Sequence, residues 1–269
     1  MNLREEKFSL KRVELLLRRD VADGYRNILV VIGAIAAILI TFDVLNFTIF
    51  NGGIDEEHHI GTFGMILIIG GFIATSSIFK EVHRRESAHG YLMLPASPLE
   101  KVVSRILLSN IGWILLTVVW YSLYSFISAG VTVLITDQHH PIFNPLHTQV
   151  LLVSAHYIVL QSIFLVGAVC FRKGHLFKTL LTLFIVGVLF SILTTIALRI
   201  IFAPYFNGFF AVDQAQMIGP LFENLPFRFA GSIELLETVR NVVYWALLAP
   251  VAWIITYTRF REVQIKDAV

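Results

Sequence analysis

Apolar residues run almost unbroken through 28–50, 61–79, 106–135, 149–171, 176–203 and 239–258. Each run approaches or exceeds the ~20 residues a helix needs to cross the hydrocarbon of a bilayer. The pattern predicts an all-α integral membrane protein with six transmembrane helices in a single domain over 1–269. Ahead of the first run the period changes. Leu3, Leu10, Val13, Leu17 and Val21 recur at helical spacing while Arg4, Lys11, Arg18 and Arg19 turn away, which predicts an amphipathic helix over 3–24 within the polar segment 1–27. Glu6 and Glu14 sit on the edges of its apolar stripe, so it should lie against protein or headgroups rather than sink into lipid.

Two stretches between the runs carry more pattern than a connector requires. In the loop 80–105, Gly90 can end a short charged helix as a left-handed cap, and Pro95 prevents continuous helix through the apolar stretch 91–94. Ser97-Pro98-Leu99-Glu100 then reads as a capping box with proline at the first helical position, so the third helix should start there. These signals predict a rigid helix-turn-helix that presents Tyr91, Leu92 and Leu94 to a partner. The alternative is an ordinary interfacial turn whose apolar residues dip into lipid. The segment 203–238 holds Pro204, Pro220 and Pro226 together with seven aromatic residues. It is too broken for a full span and too apolar for water, which predicts an outer re-entrant helical hairpin between spans five and six.

Composition and charge fix the class and the orientation. With 56% hydrophobic and 15% charged residues, against about 25% charged in an average soluble domain, soluble and disordered classes are excluded. A net charge of +2 provides no global basic field for nucleic acid. Seven of the 21 Lys and Arg lie in 1–27, five in 80–105, three in 172–178 and three in 259–269, whereas the loops around 51–60 and 136–148 have none. By the positive-inside rule both termini are expected in the cytoplasm. The charged 27 residues before the first run are too long and too acidic for a secretory signal, so the first span should be retained. Asp43 and Arg199 fall inside spans, toward the outer leaflet. They form a candidate intramembrane charge pair, unless each simply reaches interfacial water.

Signals for catalysis are mostly missing. No glycine is followed by lysine, so a phosphate-binding loop cannot occur, and there is neither a Gly-x-Ser triplet nor a His-Glu-x-x-His motif. The single cysteine, Cys170, excludes disulfides and cysteine-cluster metal sites. His58-His59 and His139-His140 neighbour Asp55, Glu56, Glu57 and Asp137, but adjacent histidines point in different directions and a polar surface explains them better than a metal. His156, alone within a span, should pack or hydrogen-bond rather than ligate haem. The pairs Gly33/Ala37 and Gly70/Ala74 permit close helix contact. No catalytic, metal or cofactor site is expected.

The amphipathic first helix, six spans, an apolar outer hairpin and the run from Phe79-Lys80-Glu81 through Glu86 and Gly90-Tyr91-Leu92-Met93-Leu94-Pro95-Ala96-Ser97-Pro98-Leu99-Glu100-Lys101 together resemble an ABC type-2 exporter permease, over nearly the whole chain. The resemblance implies a non-catalytic permease domain in a bacterial cytoplasmic membrane. It would pair with a second permease subunit as a homodimer and dock a cytoplasmic ATP-binding-cassette subunit that hydrolyses ATP. It assigns the docking contact to the amino-terminal helix and to the loop after the second span, at Arg84, Arg85, Glu86, Gly90, Tyr91, Leu92, Leu94 and Pro95. The hairpin 203–238 would be a gate, and the substrate amphipathic or hydrophobic. Short outer loops depart from the family's fuller pattern and leave no room for a large external domain. A non-transporting scaffold of an envelope complex and a membrane-embedded enzyme remain as other classes.

Overall fold

The computed structural model describes residues 8–49, 55–79, 93–136, 141–171, 174–201, 235 and 237–266. Among the described residues there is helix and no strand, as a chain in hydrocarbon requires, because a helix satisfies its backbone hydrogen bonds within itself. The elements are α1 (Leu10–Ile49), α2 (Glu56–Met65), α3 (Gly71–Ser77), α4 (Pro98–Leu107), α5 (Trp113–Thr136), α6 (Thr148–Cys170), α7 (His175–Ile201) and α8 (Leu248–Lys266). Single π turns at Ile66–Gly70 and Leu108–Gly112 join α2 to α3 and α4 to α5, and a third, Val243–Leu247, leads into α8.

Five described stretches are long and apolar enough to cross a membrane: Glu56–Ser76, Pro98–Leu134, Thr148–Cys170, His175–Ala197 and Glu237–Glu262. The remaining expected span, 28–50, corresponds to a shorter apolar stretch, Ile32–Asn46, inside α1. Here the structure departs from the sequence reading. Instead of a separate surface helix over 3–24, α1 runs unbroken for 40 residues, about 60 Å at 1.5 Å per residue. Nothing between Asp20 and Leu29 stops it: there is no proline, and Gly24 alone weakens a helix by only about 1 kcal/mol. Its protein-facing side also differs from the predicted stripe. Val13 and Leu16 are buried, while Leu10 and Val21 are exposed.

By its contacts the chain divides into two units, Met1–Leu176 with Val251–Val269, and Phe177–Pro250. Side-chain pairs give the helix directions within the first. Arg12 meets Glu100, Asp20 meets Arg105 and Asp43 meets Tyr124, so α1 runs parallel to α4 and α5. His59 meets Tyr121 and Leu67 meets Trp113, so α2 and α3 run antiparallel to them. Gln161 meets Thr75 while Tyr157 meets Ser109, which places α6 parallel to α3 and antiparallel to α4 and α5. One end of this unit is closed by Phe79, Val102, Leu165, Ala168, Val169 and Phe260, with Trp253 and Tyr257 of α8 packed against them. A second cluster, centred on Phe63, Leu67, Tyr121, Phe143 and Tyr157, fills the interior toward the other end.

The first two π turns are tied to their neighbours. A π turn disturbs the regular ladder of backbone hydrogen bonds, and in hydrocarbon its carbonyls must find other donors. The Trp113 indole donates to the Leu67 carbonyl at 3.0 Å, and the Tyr157 hydroxyl donates to the Ser109 carbonyl at 2.8 Å. Both rings need glycine opposite them. A Cβ on Gly70 would come within 2.7 Å of the Trp113 ring, and one on Gly71 would overlap the Tyr157 ring. Gly70 therefore sits at a helix contact, as its spacing suggested, whereas a Cβ on Gly33 would meet nothing within 4 Å.

In the second unit every residue from Leu180 to Ala197 is exposed, and since the stretch is apolar on all sides its surface suits lipid or another subunit better than water. Most of the expected hairpin at 203–238 lies outside the described residues.

Gly71→Ala should destabilise the protein by about 1–3 kcal/mol through overpacking against Tyr157. Gly33→Ala should be neutral or slightly stabilising, since alanine favours helix by about 1 kcal/mol over glycine. Thermal unfolding in detergent, followed by tryptophan fluorescence, compares the two directly.

Candidate functional site

Polar chemistry concentrates at the two ends of the α1 and α4–α5 pair. At the first end the predicted capping box is present. The Ser97 hydroxyl accepts from the Glu100 amide at 3.3 Å, and Glu100 Oε2 accepts from the Ser97 amide at 2.8 Å, with Pro98 at the first helical position. The other carboxylate oxygen of Glu100 has a second task. It accepts from the Ser9 amide at 2.7 Å and from Arg12 Nε and Nη2 at 3.1 and 2.9 Å, so one fully buried carboxylate caps α4 and holds the start of α1. Two turns on, Arg105 and Asp20 pair at 3.4 Å with both side chains nearly inaccessible. Val13 and Leu16 are buried between these ionic contacts along α1.

At the opposite end Asp43 is 2% exposed. Its Oδ2 accepts from the Tyr124 and Ser128 hydroxyls, each at 2.5 Å and one helical turn apart on α5. The Tyr121 and Tyr124 rings pack at 5.2 Å between centroids. The Tyr121 hydroxyl lies 3.2 Å from His59 Nδ1, and His59 Nε2 lies 2.9 Å from the Pro141 carbonyl. Because a carbonyl only accepts, Nε2 carries a proton, and in neutral His59 Nδ1 is the acceptor for Tyr121. Asp55 caps α2 by accepting from the His58 amide at 2.8 Å, and it leaves Glu56 and Glu57 exposed in the first turn.

Arg84, Arg85, Glu86, Gly90, Tyr91 and Leu92, expected to carry the docking contact, lie outside the described residues. Leu94 is half-buried and packs against the Phe79 cluster, while Pro95 is exposed. Asp43 belongs to the first unit and Arg199 to the second. His59 turns inward to Tyr121 and Pro141. Among the described residues no three His, Cys, Asp or Glu side chains gather as a metal site would require, and His139 and His140 are outside them. His156 hydrogen-bonds the Leu152 carbonyl of its own helix at 2.8 Å.

The sequence reading assigned Glu100 to capping alone and missed its bond to Arg12, the Asp20–Arg105 pair and the hydroxyls around Asp43. One signal for the last was available. Tyr121, Tyr124, Ser125, Ser128 and Thr132 recur at helical spacing on one face of an otherwise apolar span. No family model, no curated protein and no solved structure matches the chain.

A double-mutant cycle tests the clamp. Arg12→Ala and Glu100→Ala should couple by about 2 kcal/mol. Glu100→Ala alone should be the more harmful, at about 3–5 kcal/mol, since it leaves a cation without its carboxylate and removes the cap as well. Reversible unfolding in mixed micelles reads all four corners, and additive losses would mean that the two groups do not interact.

Proposed function

We propose that this chain is the transmembrane permease subunit of an ABC exporter in a bacterial cytoplasmic membrane, moving an amphipathic or hydrophobic substrate with ATP hydrolysed by a separate subunit. The observation that carries the reading is the Glu100 clamp. The loop 80–92 leaves from Phe79 and returns at Met93, and Leu94 anchors its return in the same apolar cluster as Phe79. There α4, α6 and α8 are packed together, and Glu100 bonds α1 to the first turn of α4. A motor that pushes on the loop would thus push on a cross-braced base rather than a flexible strand, and a braced base transmits displacement.

Other features support the parts of this proposal. The Lys and Arg distribution supports a cytoplasmic location for that end and for both termini. The mostly apolar exposed surface of Leu180–Ala197 suits lipid or a second copy of the chain, and so a homodimer. Segment 203–238 has the composition of a gate folded back into the outer leaflet. In such a subunit no covalent step falls to this chain. It offers the substrate two environments whose populations ATP binding in the partner biases.

The test is co-expression with a candidate ATP-binding-cassette subunit. The subunit should co-purify, and its ATPase rate in proteoliposomes should depend on the chain. Glu86→Ala and Leu92→Ala should lower transport or release the subunit while inserted protein stays at its normal amount. Normal affinity and normal transport in both variants would move the docking contact elsewhere, and an ATPase indifferent to the chain would favour a non-transporting scaffold.

A further inference from the structure

The Asp43 cluster is built like a site for a proton. A carboxylate buried in an apolar span is costly and calls for partners, and those on Asp43 are hydroxyls, from Tyr124 and Ser128. A hydroxyl can donate or accept, so the same three groups satisfy both forms of the acid. The ionised carboxylate accepts two hydrogen bonds. The protonated one donates to a hydroxyl oxygen after that hydroxyl rotates. No heavy atom need move, and with Asp43 only 2% exposed nothing larger than a proton reaches it without opening the helix pair.

Polar groups stand between the cluster and solvent. The Tyr124 ring packs on that of Tyr121, the Tyr121 hydroxyl bonds His59, and His59 lies in the first turns of α2 beside the exposed Asp55, Glu56 and Glu57. Titratable and charged groups face the cluster from each element packed around it. From α5 these are Tyr121 and Tyr124. From α2 they are His59 and, one residue nearer the surface, His58, whose ring lies 6.4 Å from that of His59. The segment after Pro141 brings His147, which sits 3.8 Å from Glu56. On α1 itself the nearest charged residue toward the first end, Arg26, is about 26 Å away along the helix.

We propose that Asp43, held by Tyr124 and Ser128 and lying on the side of Tyr121 and His59, binds a proton exchanged with the solution on the side of residues 55–59 and 141–147. Its occupancy reverses the direction of one hydrogen bond between α1 and α5. The site rests on the membrane reading of the chain and is independent of any partner subunit.

Infrared difference spectroscopy of the full chain in lipid nanodiscs tests it. Acidification should raise the C=O band of a protonated carboxylic acid that Asp43→Asn abolishes. The asparagine keeps an acceptor for both hydroxyls, so monodisperse elution of this variant should match the unaltered chain. Tyr124→Phe and Ser128→Ala should each keep the band and displace its frequency, because the acid's hydrogen-bond partner has changed. His59→Gln should keep the band and slow its exchange for deuterium severalfold. A band that survives Asp43→Asn, or no band at any pH at which the protein stays folded, would overturn the site. So would a band that Arg199→Gln displaces as far as Ser128→Ala does, since Arg199 would then be the carboxylate's partner.

Discussion

Glu100 is the group on which the arrangement of the first unit depends. A carboxylate with no solvent exposure must find its hydrogen bonds within the protein, and this one takes them from the Ser97 and Ser9 amides and the Arg12 guanidinium. The first bond starts α4 at Pro98, and the other two fix where α1 begins against it. Loss of either set leaves buried charge uncompensated. With Asp20–Arg105 and Asp43–Tyr124, this contact sets the parallel course of α1 beside α4 and α5.

The rest of the unit obeys the same demand, that polar groups removed from water be paired. Two π turns are met by side-chain donors, an indole and a phenol, each admitted by a glycine on the neighbouring helix. Asp43 takes two hydroxyls, and Arg105 takes Asp20. Apolar burial alone distinguishes poorly between helix neighbours in a bilayer, because lipid tails are as apolar as leucine. Polar contacts at fixed depths therefore set the register, and here they occur at both ends of the α1 and α4–α5 pair.

How much of this could be read from the chain depended on the range of the signal. Ser97, Pro98 and Glu100 lie within four residues, so the start of α4 was legible to the residue. Long apolar runs gave the spans, and the Gly70 contact followed from spacing. The joining of the amphipathic stretch to the first span was not legible, since Gly24 permits continuation as readily as it permits a break. Nor were Arg12–Glu100 and Asp20–Arg105, separated by 88 and 85 residues. Pairing across such distances depends on which helices are neighbours, and a hydropathy pattern does not encode that. Asp43 was recognised as a charge in need of a partner, but its hydroxyl partners resemble ordinary polar residues of a span until the helices are brought together.

The unbroken course of α1 has a geometrical consequence. A rod of about 60 Å that tilts by about 5° moves one end by about 5 Å relative to the other. Arg12 and Asp43 are near opposite ends of that rod, so a rocking of that size about the base at Glu100 becomes a displacement of about 4 Å where Asp43 meets Tyr124. The joint between two separate helices would dissipate that motion. A single continuous helix makes the two ends of the unit mechanically one part.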